Sequence, residues 1–410
     1  MSRTAAVTAD PDYLVAGVDT HADTHTLALV TAQGGVVETA TFAADADGYT
    51  ALAAMLEAAE ATIEKVGVEG TNSYGAGLTR ALTAAGYTVY EVLRPARRVR
   101  RRHGKSDPID AVAAARTVLS GDGAGEAKDT TGPVEAVRLL LTARTQLVTT
   151  MTAISNTINS LLVTADESVR DAYRRRDTPT AIKHLAACRP GNGDSPAAAC
   201  LYALRSLART HREASAHADE LEKRMHRILA EHYPRLLAIY GAGTIVAAQL
   251  AVTAGGNPER IRNEAAFAAL CGAAPIPASS GKTTRHRLNR GGDRRGNAAL
   301  HRIALVRMRF DPATRAYTER RTGEGKTKKE ILRCLKRAIA REVYTALQHT
   351  AAPAPTTCDE LAALRAGKNL TLTDVAAALD TYPARISDIE KHRRPLPELT
   401  DRYRQWLHTA

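Results

Sequence analysis

The stretch Leu14–Phe42, LVAGVDTHADTHTLALVTAQGGVVETATF, decides how the N-terminal part of this chain folds. Leu14–Val18, Thr26–Thr31 and Val36–Phe42 read as three strands, the last two joined by a Gln33-Gly34-Gly35 turn. Three strands with short connections make a meander. Working outward, a helix is expected from Gly48 to about Glu60 and a strand over Lys65–Glu69. A second helix follows near Ala76–Ala85, then a strand over Thr88–Val92.

The resulting order, βββαβαβ, is that of a ribonuclease-H-like α/β domain. Within it, Asp19 ends the first strand in Gly17-Val18-Asp19-Thr20, and Glu69 ends the fourth in Val66-Gly67-Val68-Glu69-Gly70. In this topology those strands are neighbours, so both carboxylates project at one sheet edge. A later helix begins at Asp107-Pro108 and runs to about Leu119, which puts Asp107 and Asp110 on one face. Four converging carboxylates repel one another unless cations intervene. Mg²⁺ fits, as two ions about 3.5–4 Å apart that activate a nucleophile and steady a leaving oxygen at a phosphodiester; Mn²⁺ is the alternative. Taken singly, Asp107 also reads as a helix cap and Asp110 as a first-turn dipole partner.

The bulk of the chain agrees with a nucleic-acid partner. Its 410 residues call for two or three compact units, and a net charge of +12 favours a polyanion. Aromatics make up only 4%, so the cores must be Ala, Val, Leu and Ile, largely in helices. Cys188, Cys200, Cys271, Cys334 and Cys358 are scattered with no close-spaced pair, so neither a zinc knuckle nor a disulfide framework is indicated. Asp10 and Asp12 interrupt any signal-peptide core, and no apolar run reaches the ~18 residues of a membrane span. A soluble, intracellular protein is expected.

Arg94–Lys105 is strongly basic, with Arg97, Arg98, Arg100, Arg101, Arg102 and Lys105 as candidate phosphate contacts. Ser120–Gly132 reads as a linker. Beyond it Val134, Val137, Leu141, Leu147, Met151, Ile154, Ile158 and Leu161 recur every three or four residues, the stripe of a long coiled-coil-like helix. A helical run over Leu201–Leu229 could pair back on it, as a dimerisation arm or as plain core, with 164–200 as a loop-rich tip. From Pro234 the chain turns basic: residues 281–345 hold nineteen Lys/Arg against six Asp/Glu. Those charges interleave with Ile303, Leu305, Ile331, Leu335 and Ile339, so this is a folded helical domain rather than a tail. Ala351–Thr357 is a second linker.

Around Leu236–Thr244 an apolar helix, Gly241-Ala242-Gly243 and another helix suggest a helix-hairpin-helix able to hold a DNA phosphate on backbone N–H groups. Next come Gly272-Ala273-Ala274-Pro275, Ser279-Ser280-Gly281-Lys282, then Arg285, Arg287, Arg290 and Gly291-Gly292-Asp293-Arg294-Arg295-Gly296-Asn297. A serine in such a loop could attack a phosphodiester while the cations, Lys282, Arg285, Arg287, Arg290, Arg294 and Arg295, stabilise the charge. On composition alone a loop serine is more often a turn residue.

Gly-Val-Asp-Thr, Val-Glu-Gly-Thr, Lys105-Ser106-Asp107-Pro108-Ile109-Asp110-Ala111 and Gly-x-x-Pro-x-x-x-x-Ser-Gly-Lys occur in this order. The combination resembles the insertion-sequence family one-ten transposases over about residues 13–350. The resemblance implies a metal-binding DEDD tetrad of Asp19, Glu69, Asp107 and Asp110 in a RuvC-like domain. It also implies a nucleophilic serine at Ser280, with Ser279 as the alternative, that forms a covalent phosphoserine with DNA. A composite site joining two domains across subunits of a dimer or tetramer is part of what it implies. So are double-stranded DNA partners, at element ends or junction and at the target, and an element-encoded bridge RNA.

The expected fold class is therefore α/β plus α. A RuvC-like domain spans 10–120, a helical coiled-coil or dimerisation region 133–233, and a basic transposase serine domain with the helix-hairpin-helix 234–350. Residues 359–408 depart from the family pattern and resemble a Cro/repressor helix-turn-helix, with Pro383 at the first turn of the recognition helix. Arg385, Arg393 and Arg394 are its candidate DNA contacts; Asp380 and His392 stand where glycine is usual. Two other functions fit the residues: a Holliday-junction-type nuclease in which metal activates water, and a DNA-binding regulator on an inactive scaffold.

Overall fold

The computed structural model describes residues 13–59, 61–92, 106–191, 193–278, 286–348, 357–368, 370–394 and 396–409. The chain forms two compact units. One comprises residues up to Glu135 together with Gly255–Arg260; the other comprises Ala136–Ala254 and Ile261–Ala410.

The first unit is a mixed sheet in the order β3-β2-β1-β4-β5-β6. Strands β1 (Leu14–Thr20), β2 (Thr24–Thr31) and β3 (Val36–Ala43) are the expected antiparallel meander. β4 (Ile63–Glu69) runs parallel to β1 with Gly17 opposite Gly67, and β5 (Val89–Val92) runs parallel to β4. Helices α1 (Ala46–Glu57) and α2 (Ala76–Ala84) bury Leu52, Leu56, Leu78 and Leu82 against Ala16, Val18, Leu27 and Val66 on one sheet face. Helix α3 (Asp107–Ser120) covers the other face, Ala114, Ala115 and Val118 meeting Val15, Val30 and Val92. Each large side chain fully buried here contributes about 1.5–3 kcal/mol. The linker expected over Ser120–Gly132 contains β6 (Ala124–Glu126), which pairs antiparallel with the otherwise open edge of β5.

Two glycines fix how closely α3 approaches. A Cβ on Gly17 would lie 2.1 Å from the backbone N of Ala115 and 2.3 Å from the carbonyl oxygen of Ala111; one on Gly67 would lie 2.4 Å from Val118 Cγ2. Adjacent bare positions on β1 and β4 thus let the helix rest on the sheet backbone.

In the second unit, α4 (Gly132–Thr164) and α7 (Pro196–His232) are the long pair of helices, tied by Arg144 to Glu222 at 2.8 and 3.1 Å. Val137, Leu141, Ile154 and Ile158 of the expected stripe are buried. The loop-rich tip expected over 164–200 instead holds two helices, α5 (Glu167–Tyr173) and α6 (Thr178–Ala187), capped by Asp166 and Asp177. Ile182 and Leu185 pack on Ile158 and Leu204, so the tip has a core of its own.

The basic part of this unit comprises α8 (Pro234–Leu237), α9 (Thr244–Ala254), α10 (Glu264–Leu270), a β7 (Ile276–Pro277) and β8 (His286–Arg287) hairpin, α11 (Arg294–Phe310), α12 (Pro312–Gly323) and α13 (Lys328–Gln348). Ile303, Ile331, Leu335 and Ile339 are buried as expected, whereas Leu305 lies on the outer face of α11, 44% exposed. At the expected helix-hairpin-helix the helix before the turn is only the four residues of α8, and Gly241 takes a φ of +90°. The C-terminal helices are α14 (Thr357–Gly367), α15 (Leu372–Ala378), α16 (Pro383–Glu390) and α17 (Pro397–Thr409), around Val375, Ile386, Ile389 and Tyr403. Asp380 and His392 both adopt positive φ, 49° and 51°, at the two positions where glycine is usual. Among the described residues, no helix is long and apolar enough to cross a membrane.

Candidate functional site

Each of the two glycines of the sheet centre stands two residues before an acid. Because side chains alternate along a strand, Asp19 faces the same side as Gly17 and Glu69 the same side as Gly67, which is the side α3 covers. α3 begins one turn before Ala111, so its first turn places Asp107 and Asp110 at the ends of β1 and β4. Thr20 Oγ1 donates to the carbonyl of Glu69 at 2.7 Å, tying the two strand ends together. Gly70 then turns the chain away at a φ of +73°.

The four predicted acids are brought together. Asp19 is 5% exposed. Burial pushes its carboxyl above the ordinary carboxylate range, and the charges of Glu69, Asp110 and Asp107 push it further, opposed in part by His21. His21 is a member the sequence reading missed. Its Nε2 lies 3.2 Å from Asp19 Oδ2 and 3.3 Å from Asp107 Oδ1, so Asp19, His21 and Asp107 present ligand atoms within 4.8 Å of one another. The imidazole approaches Asp19 Oδ2 without hydrogen-bond geometry, and that buried oxygen has no hydrogen bond. A buried carboxylate oxygen without a donor, among like charges and next to an imidazole, fits a divalent cation. The signal for His21 was its place two residues after Asp19, where the strand ends.

The remaining predicted residues divide by location. Arg287, Arg290, Arg294 and Arg295 lie exposed around the β7–β8 hairpin and the start of α11, whose N-cap Asp293 accepts from the backbone N–H groups of Arg295 and Gly296. Arg385 is exposed on α16, its guanidinium 5.7 Å from the Tyr382 ring, and Arg393 and Arg394 are exposed just after that helix. Ser279, Ser280, Lys282, Arg285, Arg97, Arg98, Arg100, Arg101, Arg102 and Lys105 lie outside the described residues.

Two family models match the chain. One, a DEDD transposase model of the IS110 type, covers residues 16–165; the other, described as "Transposase IS116/IS110/IS902 family", covers residues 233–319. The chain belongs to the IS110 transposase family. The first match contains Asp19, Glu69, Asp107 and Asp110, and the second contains the β7–β8 hairpin. The chain is also similar to the "Insertion element IS900 uncharacterized 42 kDa protein" of Mycobacterium paratuberculosis, 30% identical over 138 residues, 33% of this chain and 34% of that protein. It is 33% identical over 146 residues to the "Insertion element IS110 uncharacterized 43.6 kDa protein" of Streptomyces coelicolor, 35% of either chain. The alignments span about a third of the length of these two relatives.

Proposed function

We propose that this IS110-family chain is a DNA transposase that cuts and rejoins strands at the ends of an insertion sequence and at its target. The observation that supports it most is the convergence of Asp19, His21, Asp107 and their acidic neighbours around an Asp19 oxygen that lacks a donor. Asp19, Glu69, Asp107 and Asp110 would hold Mg²⁺, two ions by the family resemblance, with Mn²⁺ as a substitute. The bound metal would supply Lewis-acid polarisation of phosphate oxygens. Without it, burying and crowding these carboxylates costs stability.

In the strand exchange, the Ser280 hydroxyl attacks a backbone phosphorus as its proton leaves. A serine–phosphate bond forms, one strand oxygen departs and takes up a proton, and a second strand end reverses the step to free the serine. Arg287, Arg290, Arg294 and Arg295, with Lys282 and Arg285, stabilise the charge gathered on the phosphoryl group. A bridge RNA pairing with donor and target DNA supplies the choice of site, and the basic segment Arg97–Lys105 holds nucleic-acid backbone. We assign residues 10–120 to the carboxylate domain, 133–233 to the coiled-coil region and 234–350 to the serine domain. Residues 359–408 form a helix-turn-helix that meets DNA through Arg385, Arg393 and Arg394.

The carboxylate cluster is built from residues of one unit, which also suits a junction nuclease whose nucleophile is water. Incubating purified protein with Mg²⁺, junction DNA and the flanking transcript separates the two. A denaturation-resistant protein–DNA adduct, lost in Ser280→Ala, supports the transposase. Cleavage in both proteins without any adduct refutes the serine step and leaves the nuclease.

A further inference from the structure

Helix α13 turns Arg333 and Lys336 toward a cavity of about 670 Å³ in the basic part of the second unit. Its floor is Gly272–Pro275 and part of its wall is Arg287–Asn289. These are the two ends of the segment that bears Ser279 and Ser280. A smaller cavity of about 220 Å³ adjoins it and shares Lys336, Gly272 and Asn289.

The charges around Lys336 are out of balance. Its Nζ donates to Asn297 Oδ1 at 3.0 Å, and Asn297 is held in that orientation because its Nδ2 donates to the Cys271 carbonyl at 2.7 Å. The partner of this half-buried ammonium is therefore a neutral amide. Burial pushes Lys336 below the usual lysine range, and the neighbouring Arg333 adds to it. The acids close by are already engaged, and of these Glu330 lines the recess itself. Asp293 caps α11 with one oxygen and accepts from Thr253 with the other, at 2.7 Å. Glu264 binds Arg337 and Arg341, and Glu330 caps its own helix through Thr327 while facing Lys326 and Arg333. The recess is lined by Arg287, Lys326, Arg333 and Lys336, and by Arg337 and Arg341 that pair with Glu264, against the one carboxylate of Glu330, so it is left strongly positive beside an ammonium whose own partner is a neutral amide.

We infer that Lys336, with Arg333 and Arg287, seats a backbone phosphate of a DNA strand held against Gly272–Pro275 and Arg287–Asn289. Asn297 is a positioning residue: it fixes the ammonium at the recess and leaves its remaining protons for phosphate oxygens. The inference rests on the nucleic-acid reading above for the identity of the ligand. The site itself is open to a small probe.

Pyridoxal 5′-phosphate joins a phosphate to an aldehyde; the amine of a lysine beside an anion site condenses with it, losing water, and borohydride reduces the imine to a stable label. In the full chain, peptide mapping should place the label chiefly on Lys336, and inorganic phosphate or duplex DNA should block it. In fluorescence anisotropy, Lys336→Met should weaken DNA binding about tenfold at low salt and reduce the slope of log K against log salt by about 0.9. Lys336→Arg should restore the slope. Labelling of Lys336 that neither ligand blocks overturns the site, as does a Lys336→Met protein with native circular dichroism and an unchanged slope. Blocking by RNA but not by DNA overturns the assignment to DNA. Should Lys336→Met fail to fold, protection of the unsubstituted chain decides. Protection by phosphate in a chain that binds no DNA would keep the anion site and sink the transposase reading instead.

Discussion

Replacing Gly17 by alanine adds one methyl group where β1 and α3 touch backbone to backbone. The new Cβ would stand 2.1 Å from Ala115 N, 2.3 Å from Ala111 O and 2.7 Å from Ala115 Cα. Ordinary carbon contacts begin at about 3.5 Å, so α3 must withdraw by about 1.4 Å. No rotamer change can relieve this, because every clashing atom is helix backbone. Overpacking of this kind costs about 1–3 kcal/mol, which in a domain of this size lowers the melting temperature by several degrees. The same withdrawal carries Asp107 and Asp110 away from Asp19, stretching the 3.3 Å approach of His21 to Asp107 beyond salt-bridge range. Displacements of about 1 Å at a reacting centre cost about a hundredfold in rate, and disturbed metal surroundings cost about 10–100-fold in affinity. The assay is Mn²⁺ binding by electron paramagnetic resonance together with thermal unfolding by circular dichroism. We expect both the affinity and the melting temperature to fall. A Gly17→Ala protein that melts with the unsubstituted chain and binds Mn²⁺ equally would refute the argument that these glycines set the helix over the carboxylates.

Asp19→Asn removes a buried charge among like charges, one of whose oxygens, Oδ2, lacks a hydrogen bond, so in chelator it should melt at least as high as the unsubstituted chain. It should also lose the stabilisation that added Mg²⁺ confers, and lose strand transfer; a lower melting temperature in chelator would contradict the electrostatics. In the C-terminal module, Arg365 grips Glu390 through Nε and Nη2 at 2.7 and 3.0 Å, and Tyr403 donates to the same carboxylate at 2.7 Å. Glu390→Ala leaves Arg365 without that partner and should destabilise the module by about 3 kcal/mol, followed through Trp406, the chain's one tryptophan, which packs on this core. The unsubstituted module should also weaken in acid. Burial alone would raise Glu390, but the hydrogen bonds from Arg365 and Tyr403 outweigh it and hold the carboxyl below its ordinary value. Its contribution is thus present above the unfolded value near 4.5 and is lost as pH falls through the folded one. Equal Trp406 transitions at pH 6 and pH 3 would contradict the network.

The first unit was the most legible because its strands alternate or run apolar between turn residues, and period two admits little else. Its helix and strand boundaries fall within a few residues of those expected. β6 was not legible: Ala124-Gly125-Glu126 has no strand propensity, and its pairing comes from the edge that β5 offers. Residues 164–200 read as a loop because they carry Pro, Gly and a run of Arg. Yet 37 residues without structure are improbable in a compact region, and Asp166 before Glu167 and Asp177 before Thr178-Pro179 are helix starts. Leu305 fell within the apolar pattern of α11, but it is exposed on that helix. His21 and Lys336 were missed for one reason: each matters through a neighbour far away in sequence, Asp107 for one and Asn297 for the other.

The carboxylates show what spacing alone can carry. An acid at a strand end is common, and an acid in a helix's first turn is commoner still. A glycine two residues before the acid, repeated on two neighbouring parallel strands, is a further constraint, because each glycine must lie under the same helix for its lost side chain to be useful. Gly17 with Asp19 and Gly67 with Glu69 satisfy it, and Gly17 lies opposite Gly67 in register. The helix that fills the space they leave is the one whose first turn brings Asp107 and Asp110. The glycines and the acids are therefore one feature: packing at the positions before the strand ends decides whether the four carboxylates can meet.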